Sequence, residues 1–189
     1  MSENNKRPQQ AKLLRDFRKV HRLTGTFLFV FFFVVAITGL LLGYKKHSRG
    51  FLLPDTQVGI SDDFKTWLPL DSLYNIALTT RKSIGNGSKS TEIDKIDVRL
   101  NNGIVKYVFA DDNLEIQLDG TTGEVLNIGQ RWSDLVEHIH DGSILDQMLG
   151  VKSGIFKLFY TTVMGLALIT FTVTGFWLWY GPKQMRKSN

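Results

Sequence analysis

The sequence predicts an α+β membrane protein, with two transmembrane α-helices flanking one extracytoplasmic domain built as a helix packed on a small antiparallel sheet. Three observations predict it. Leu23–Leu42 and Leu158–Tyr180 contain no charged residue. The outer flanks of both stretches are basic. Between them lies a polar block in which short apolar alternations are separated by Gly, Asn and Asp turn signals.

The two stretches come first. At about 1.5 Å per helical residue they cover roughly 30 and 35 Å, enough for a bilayer core. Only a helix satisfies the backbone of a single segment inside lipid. A cleaved signal peptide would have a shorter apolar core and an Ala-x-Ala site. The first stretch instead runs into Gly43-Tyr44-Lys45-Lys46, which reads as an uncleaved anchor. Lys12, Arg15, Arg18, Lys19 and Arg22 precede it, and Lys183, Arg186 and Lys187 follow the second stretch. Both termini are therefore expected in the cytoplasm. The connecting segment is long enough to cross regardless of its own charges. The expected division is a basic cytoplasmic segment (1–22), helix 1 (23–42) and an extracytoplasmic region (43–131). A histidine-bearing amphipathic segment (132–157), helix 2 (158–180) and a basic cytoplasmic tail (181–189) complete it.

Charge and composition exclude several functions. The net charge is +5, yet the basic residues flank the apolar stretches instead of forming one folded face. This is the pattern of membrane topology and predicts no nucleic-acid partner. Residues 51–131 hold eight basic against twelve acidic residues. With no cysteine there are no disulfides, thiolate iron–sulfur ligands or c-type haem attachment. The chain has no H-E-x-x-H, Walker loop or dinucleotide fingerprint. His140, Asp141 and Ser143 are hydrolase residue types without a nucleophile elbow. The acidic run around Asp111–Asp119 lacks EF-hand spacing. No catalytic residue is assigned.

Residues 1–11 are polar and expected to be disordered. Residues 12–22 read as a basic helix on an anionic membrane surface. Tyr44–Gln57 carries the chain out of the membrane. Asp71 is a candidate N-cap for a helix with Leu73, Ile76, Ala77 and Leu78 inward. The run Gly85-Asn86-Gly87-Ser88 ends that helix. Strands follow at Ile96–Leu100, Ile104–Phe109, Leu114–Leu118 and Glu124–Asn127, joined by short turns into a meander. Ser133 is a candidate cap for a helix carrying Leu135, Val136 and Ile139, which Asp141-Gly142-Ser143 interrupts. Gly150 and Gly154 separate the next amphipathic run from the second span. The two spans also echo each other: Ile37-Thr38-Gly39 leads to Tyr44, and Val173-Thr174-Gly175 leads to Tyr180. Gly39 and Gly43 have small-xxx-small spacing, which favours close helix packing. Trp177, Trp179 and Tyr180 read as an interfacial belt.

The order of these motifs is similar to that of a known family. His21-Arg22-x-Thr24-Gly25 enters the first span and Thr38-Gly39 lies near its end. The middle domain ends its strands in Leu118-Asp119-Gly120-Thr121-Thr122-Gly123-Glu124-Val125-Leu126. Ile139-His140-Asp141-Gly142 and Thr174-Gly175-Phe176-Trp177-Leu178-Trp179 follow. Over roughly residues 18–182 this resembles the PepSY-associated transmembrane (PepSY-TM) proteins of bacteria. Larger relatives have four spans and include haem-containing inner-membrane reductases of ferric siderophores; this chain has two. The resemblance implies a PepSY-like domain at about 67–128, in a bacterial inner-membrane protein. It also implies a b-type haem held by histidines and a role in iron uptake, with a ferric siderophore as substrate.

His21, His47, His138 and His140 are the four candidate haem ligands, with no metal beyond the haem iron. The predicted topology puts His21 on the cytoplasmic side and the other three outside. Residues two apart on a helix point in nearly opposite directions, so one of His138 and His140 faces the bundle. The family-like motif favours His140, with Asp141 orienting its ring. The expected pair within one chain is His47 with His138 or His140. His21 then needs a ligand from a second copy, which makes a homodimer or larger membrane complex a candidate partner beside the bilayer. Two other readings stand. One is a non-enzymatic accessory subunit of an envelope complex that binds a partner or restrains a protease. The other is a structural subunit packed through Gly39 and Gly43.

Overall fold

The computed structural model describes residues 6–84 and 90–187. The chain divides into two compact units, one comprising the chain up to Gly39 together with His138 onward, the other Leu40–Glu137.

The first unit is helical. Helix α1 (Lys6–Tyr44) is 39 residues long and helix α5 (Ile155–Lys187) is 33. At 1.5 Å per residue α1 spans about 58 Å, roughly twice a bilayer core. The expectation of disorder through residue 11 is corrected over the described part: Lys6–Ala11 is helical. Extending an existing helix needs no new nucleus, and Gln9, Gln10, Ala11 and Lys12 are good helix formers. Only 6% and 11% of the apolar windows of α1 and α5 are buried. A helix hidden in a soluble core would be mostly covered. These faces need lipid, and the protein is a membrane protein.

Short helices lead into α5. Helix α3 (Trp132–Asp141) begins in the second unit and ends in the first, and α4 (Ser143–Met148) follows it. Gly142, with φ 78°, makes the break between them, and a Cβ there would press 2.7 Å from the Tyr160 ring. Ser133 lies inside the first turn of α3 and does not cap it. Its N–H donates to the Leu52 carbonyl at 2.7 Å and its hydroxyl to Asp134 at 3.1 Å.

The second unit is a four-stranded antiparallel meander, β1 (Ile93–Arg99), β2 (Ile104–Phe109), β3 (Leu114–Asp119) and β4 (Val125–Gln130), in that spatial order. Helix α2 (Leu70–Ile84) packs on one face. Asp71 sits within its first turn, and the Gly85–Ser88 terminator lies outside the described residues. Leu73 and Ala77, one helical turn apart, are fully buried against Val105, Tyr107, Phe109, Ile116 and Leu118. Arg81 continues that stripe. Its guanidinium lies 5.0 Å from the centre of the Phe109 ring and pairs with Asp111 and Asp112 at 2.8 and 3.0 Å. Ile96 and Val98 on β1, and Leu100 just after it, are each more than a third exposed, because α2 covers β2 and β3 and leaves the β1 edge open.

The opposite sheet face is polar and also buried. Residues 52–60, expected through Gln57 only as an exit from the membrane, lie across it as an extended strap. Gln117 accepts from Gln57 N–H at 2.9 Å and donates to the Asp55 carbonyl at 2.9 Å. The Asp119 carboxylate takes Ile60 N–H at 2.6 Å, and Lys106 donates to the Thr56 hydroxyl at 2.8 Å. Gly59 N–H donates to the Asn102 carbonyl at 2.7 Å. Side chains of the sheet thus do for the strap what a fifth strand's backbone would do.

Two carboxylates here predict a pH dependence. Burial pushes the Asp134 carboxyl up, but hydrogen bonds and charge from Arg131 and Lys95 outweigh it and hold the group below its ordinary 3.8. Burial raises Asp119 too, and the N–H groups of Thr122, Ile60 and Thr121 bring it below 3.8. A lowered carboxylate adds stability above its unfolded value and loses it as pH falls through the folded value. Resistance of the 40–137 unit to protease is therefore expected to hold from pH 7 to 5 and to fall between about pH 4 and 2. Loss of resistance near pH 6 would contradict this assignment.

Candidate functional site

The side chains of α1 and α5 pair in antiparallel order. Gly181 approaches Leu14, Phe17 meets Trp177 with ring centres 6.2 Å apart, His21 meets Thr174, and Gly25 faces Phe171. A Cβ on Gly25 would lie 3.1 Å from Phe171, and one on Gly175 would lie 3.3 Å from His21 Cε1. Small residues on each helix thus make room for large side chains on the other, as packing inside lipid requires.

The Thr-Gly echo has a structural purpose: each copy receives a histidine from elsewhere in the chain. Thr38 Oγ1 lies 2.8 Å from His140 Nδ1, and a Cβ on Gly39 would lie 3.5 Å from the same ring. Thr174 Oγ1 lies 2.9 Å from His21 Nδ1. The threonines are buried, with exposures of 7% and 4%. Each hydroxyl already donates its one proton to the carbonyl four residues back, Val34 at 2.7 Å and Thr170 at 2.7 Å. It can then only accept from the ring, so each histidine donates through Nδ1–H. Each Nε2 keeps its lone pair and has no hydrogen-bond partner among the described residues. His21 is further held by stacking on Phe171, with ring centres 4.0 Å apart and planes 25° apart.

His21 and Thr38 share α1, so the two histidine sites lie about 25 Å apart along it. Beside His140 a groove of about 400 Å³ opens between the helices. Phe32, Val35 and Ala36 line it from α1, and Tyr160, Met164, Gly165 and Leu168 from α5. A Cβ on Gly165 would meet nothing within 4 Å, and Met164 is buried.

The other expected residues go elsewhere. His138 faces Ser143 and Gln147, each at 2.9 Å. His47 is exposed in a 3₁₀ turn, Lys45–His47, in the second unit. Asp141 does not orient His140. It accepts from Ser143 N–H at 2.9 Å and pairs with Lys157 at 2.6 Å. Burial raises its carboxyl, but Lys157 and Ser143 bring it below the ordinary value. Gly39 makes room for the His140 ring, and a Cβ on Gly43 would meet nothing within 4 Å. Among the described residues no three His, Asp or Glu side chains cluster to hold a bare metal ion. Sequence reasoning missed Thr38, Thr174 and Met164 as parts of the sites. The signal for the threonines was there in the repeated Thr-Gly.

No curated protein matches the chain. The family model for the PepSY-associated TM region matches residues 4–181, nearly the whole chain, including both histidine–threonine sites. The protein is a member of the PepSY-associated TM family.

Proposed function

We propose that the protein is a membrane redox component that holds b-type haem through His140, and a second through His21. Its reducing equivalents serve ferric complexes, such as iron siderophores, on the side of the 40–137 unit. Both termini then lie in the cytoplasm, as the basic flanks favour. The observation that carries this reading is the contact of each ring's Nδ1 with a buried threonine hydroxyl that already donates to its own helix. With Nδ1–H so engaged, Nε2 is left with a lone pair, the state an imidazole needs to ligate iron.

The donor set fits a haem, which would supply one-electron transfer. His140 would hold the haem through Nε2, beside a groove whose size and largely apolar lining suit a flat macrocycle. Met164 and Tyr160 line the same groove and would be the residues of α5 nearest the group. Thr38 holds the proton on Nδ1, and Gly39 leaves the ring room to stand against α1. At the other end His21 is set by Thr174, Gly175 and Phe171, and a second copy of the chain would supply the remaining ligand.

The test is the absorption spectrum of the detergent-purified protein. A Soret band with α and β bands that sharpen on reduction is expected. His140→Ala and His21→Ala should each remove part of the absorbance, and the double variant nearly all of it. Colourless protein from haem-sufficient cells would sink the reading.

A further inference from the structure

The strap-covered face of the sheet holds a cleft of about 360 Å³, inside the roughly 300–1,000 Å³ range of small-ligand sites. Five cationic side chains reach it, Lys45, Lys46, Arg99, Lys106 and Arg131, against two carboxylates, Asp55 and Asp97.

The cations are only partly neutralised, and Arg99 pairs with Asp97 at 2.7 Å. Lys106 and Arg131 share Glu115, while Arg131 and Lys95 share Asp134. Lys95 also reaches Asp94 at 3.9 Å, so this network joins three cations to three anions, and the excess of positive charge lies in the cleft lining itself. The centre of the network is desolvated, with Lys106 at 3% and Glu115 at 0% exposure. A lysine ammonium has three donors. Two are used by Thr56 at 2.8 Å and Glu115 at 3.4 Å, leaving one on a buried group that lines the cleft. Arg131 spends Nε and Nη1 on Asp134 and Glu115 and keeps Nη2. Lys45 reaches Glu137 only at 3.9 Å, and Lys46 has no ion pair among the described residues. Excess charge with spare donors in a partly dry cleft is the electrostatic condition for anion binding.

We infer that this cleft binds a compact polyanionic group bearing phosphate or carboxylate oxygens. Lys106 and Arg131 form its floor, and Arg99, Lys45 and Lys46 close over it. Lys45 and Lys46 directly follow the end of α1, where the apolar span stops. The group can therefore belong to a lipid head or to a free solute. This inference stands apart from the haem reading, and neither depends on the other.

The full-length protein is reconstituted in phosphatidylcholine nanodiscs, and its thermal midpoint is followed against inorganic phosphate or citrate at matched ionic strength. A saturable rise reports binding. Lys46→Gln and Arg99→Gln alter exposed side chains and should fold; each is expected to weaken binding about tenfold. A rise with the solutes, weakened in both variants, identifies a free anion. A rise only when phosphatidylglycerol is added to the nanodiscs, again weakened in both variants, identifies a lipid head. No rise in either arm, or a rise unchanged in both variants, overturns the inference.

Discussion

Glu115→Ala is expected to unfold the sheet unit under conditions where the parent chain is intact, at a cost of about 3–5 kcal/mol. Glu115 is fully buried and is the shared carboxylate of Lys106 and Arg131, while Gln117 donates to it at 2.7 Å. Removing it leaves an ammonium in a dry interior and takes one of the two acceptors of the Gln117 amide. Pulse proteolysis of the full chain in urea measures the loss, because cleavage within 40–137 follows unfolding of that unit. Replacing the pair together, as Glu115→Leu with Lys106→Leu, should recover much of the loss, since no unpaired charge then remains. A cost below about 1 kcal/mol for the single variant would show that Lys106 finds water and that the face is not dry.

The second large effect concerns the His140 ring. Thr38→Val keeps the shape of the side chain and removes the acceptor for Nδ1–H. Losing a partner of this kind weakens metal binding typically ten- to a hundredfold. Haem retained after extensive washing in detergent, read from the Soret absorbance per protein, should fall accordingly, and Thr38→Ser should restore it. Thr174→Val should act in the same way on His21. Equal retention in Thr38→Val and the parent would show that the hydroxyl does not set the ring. Far-ultraviolet circular dichroism should stay unchanged in all three variants, because the α1 and α5 backbones do not depend on these hydroxyls.

These two residues show what a sequence carries and what it conceals. The spans were legible because lipid excludes charge over twenty or more consecutive residues, a rule that leaves a plain mark. The strands were legible because alternation marks a sheet with two unlike faces. The alternation says nothing of what covers the second face. Lys106, Glu115, Gln117 and Asp119 stand on it, and residues 52–60 lie across them. That strap has no periodicity of its own. Its backbone is satisfied by side chains sixty residues away, which local pattern cannot reveal. At the histidines, the repeat of Thr-Gly was visible, but its meaning was not. Thr174 serves His21 because α1 and α5 run antiparallel, and Thr38 serves His140 because α3, 102 residues later in the chain, returns to α1.

That cross-pairing has a mechanical consequence. Helix α1 is pinned at two points, to α5 at His21–Thr174 and to α3 at Thr38–His140. One residue inserted in α1 between positions 21 and 38 would turn one pin by about 100° relative to the other and shift it about 1.5 Å. Both pins could not then close together. Sliding α1 past α5 would break the His21–Thr174 contact. In a bilayer thicker or thinner than its own, tilting of the pair keeps that contact where sliding would lose it. The register of the two spans is thus written into one histidine and one threonine.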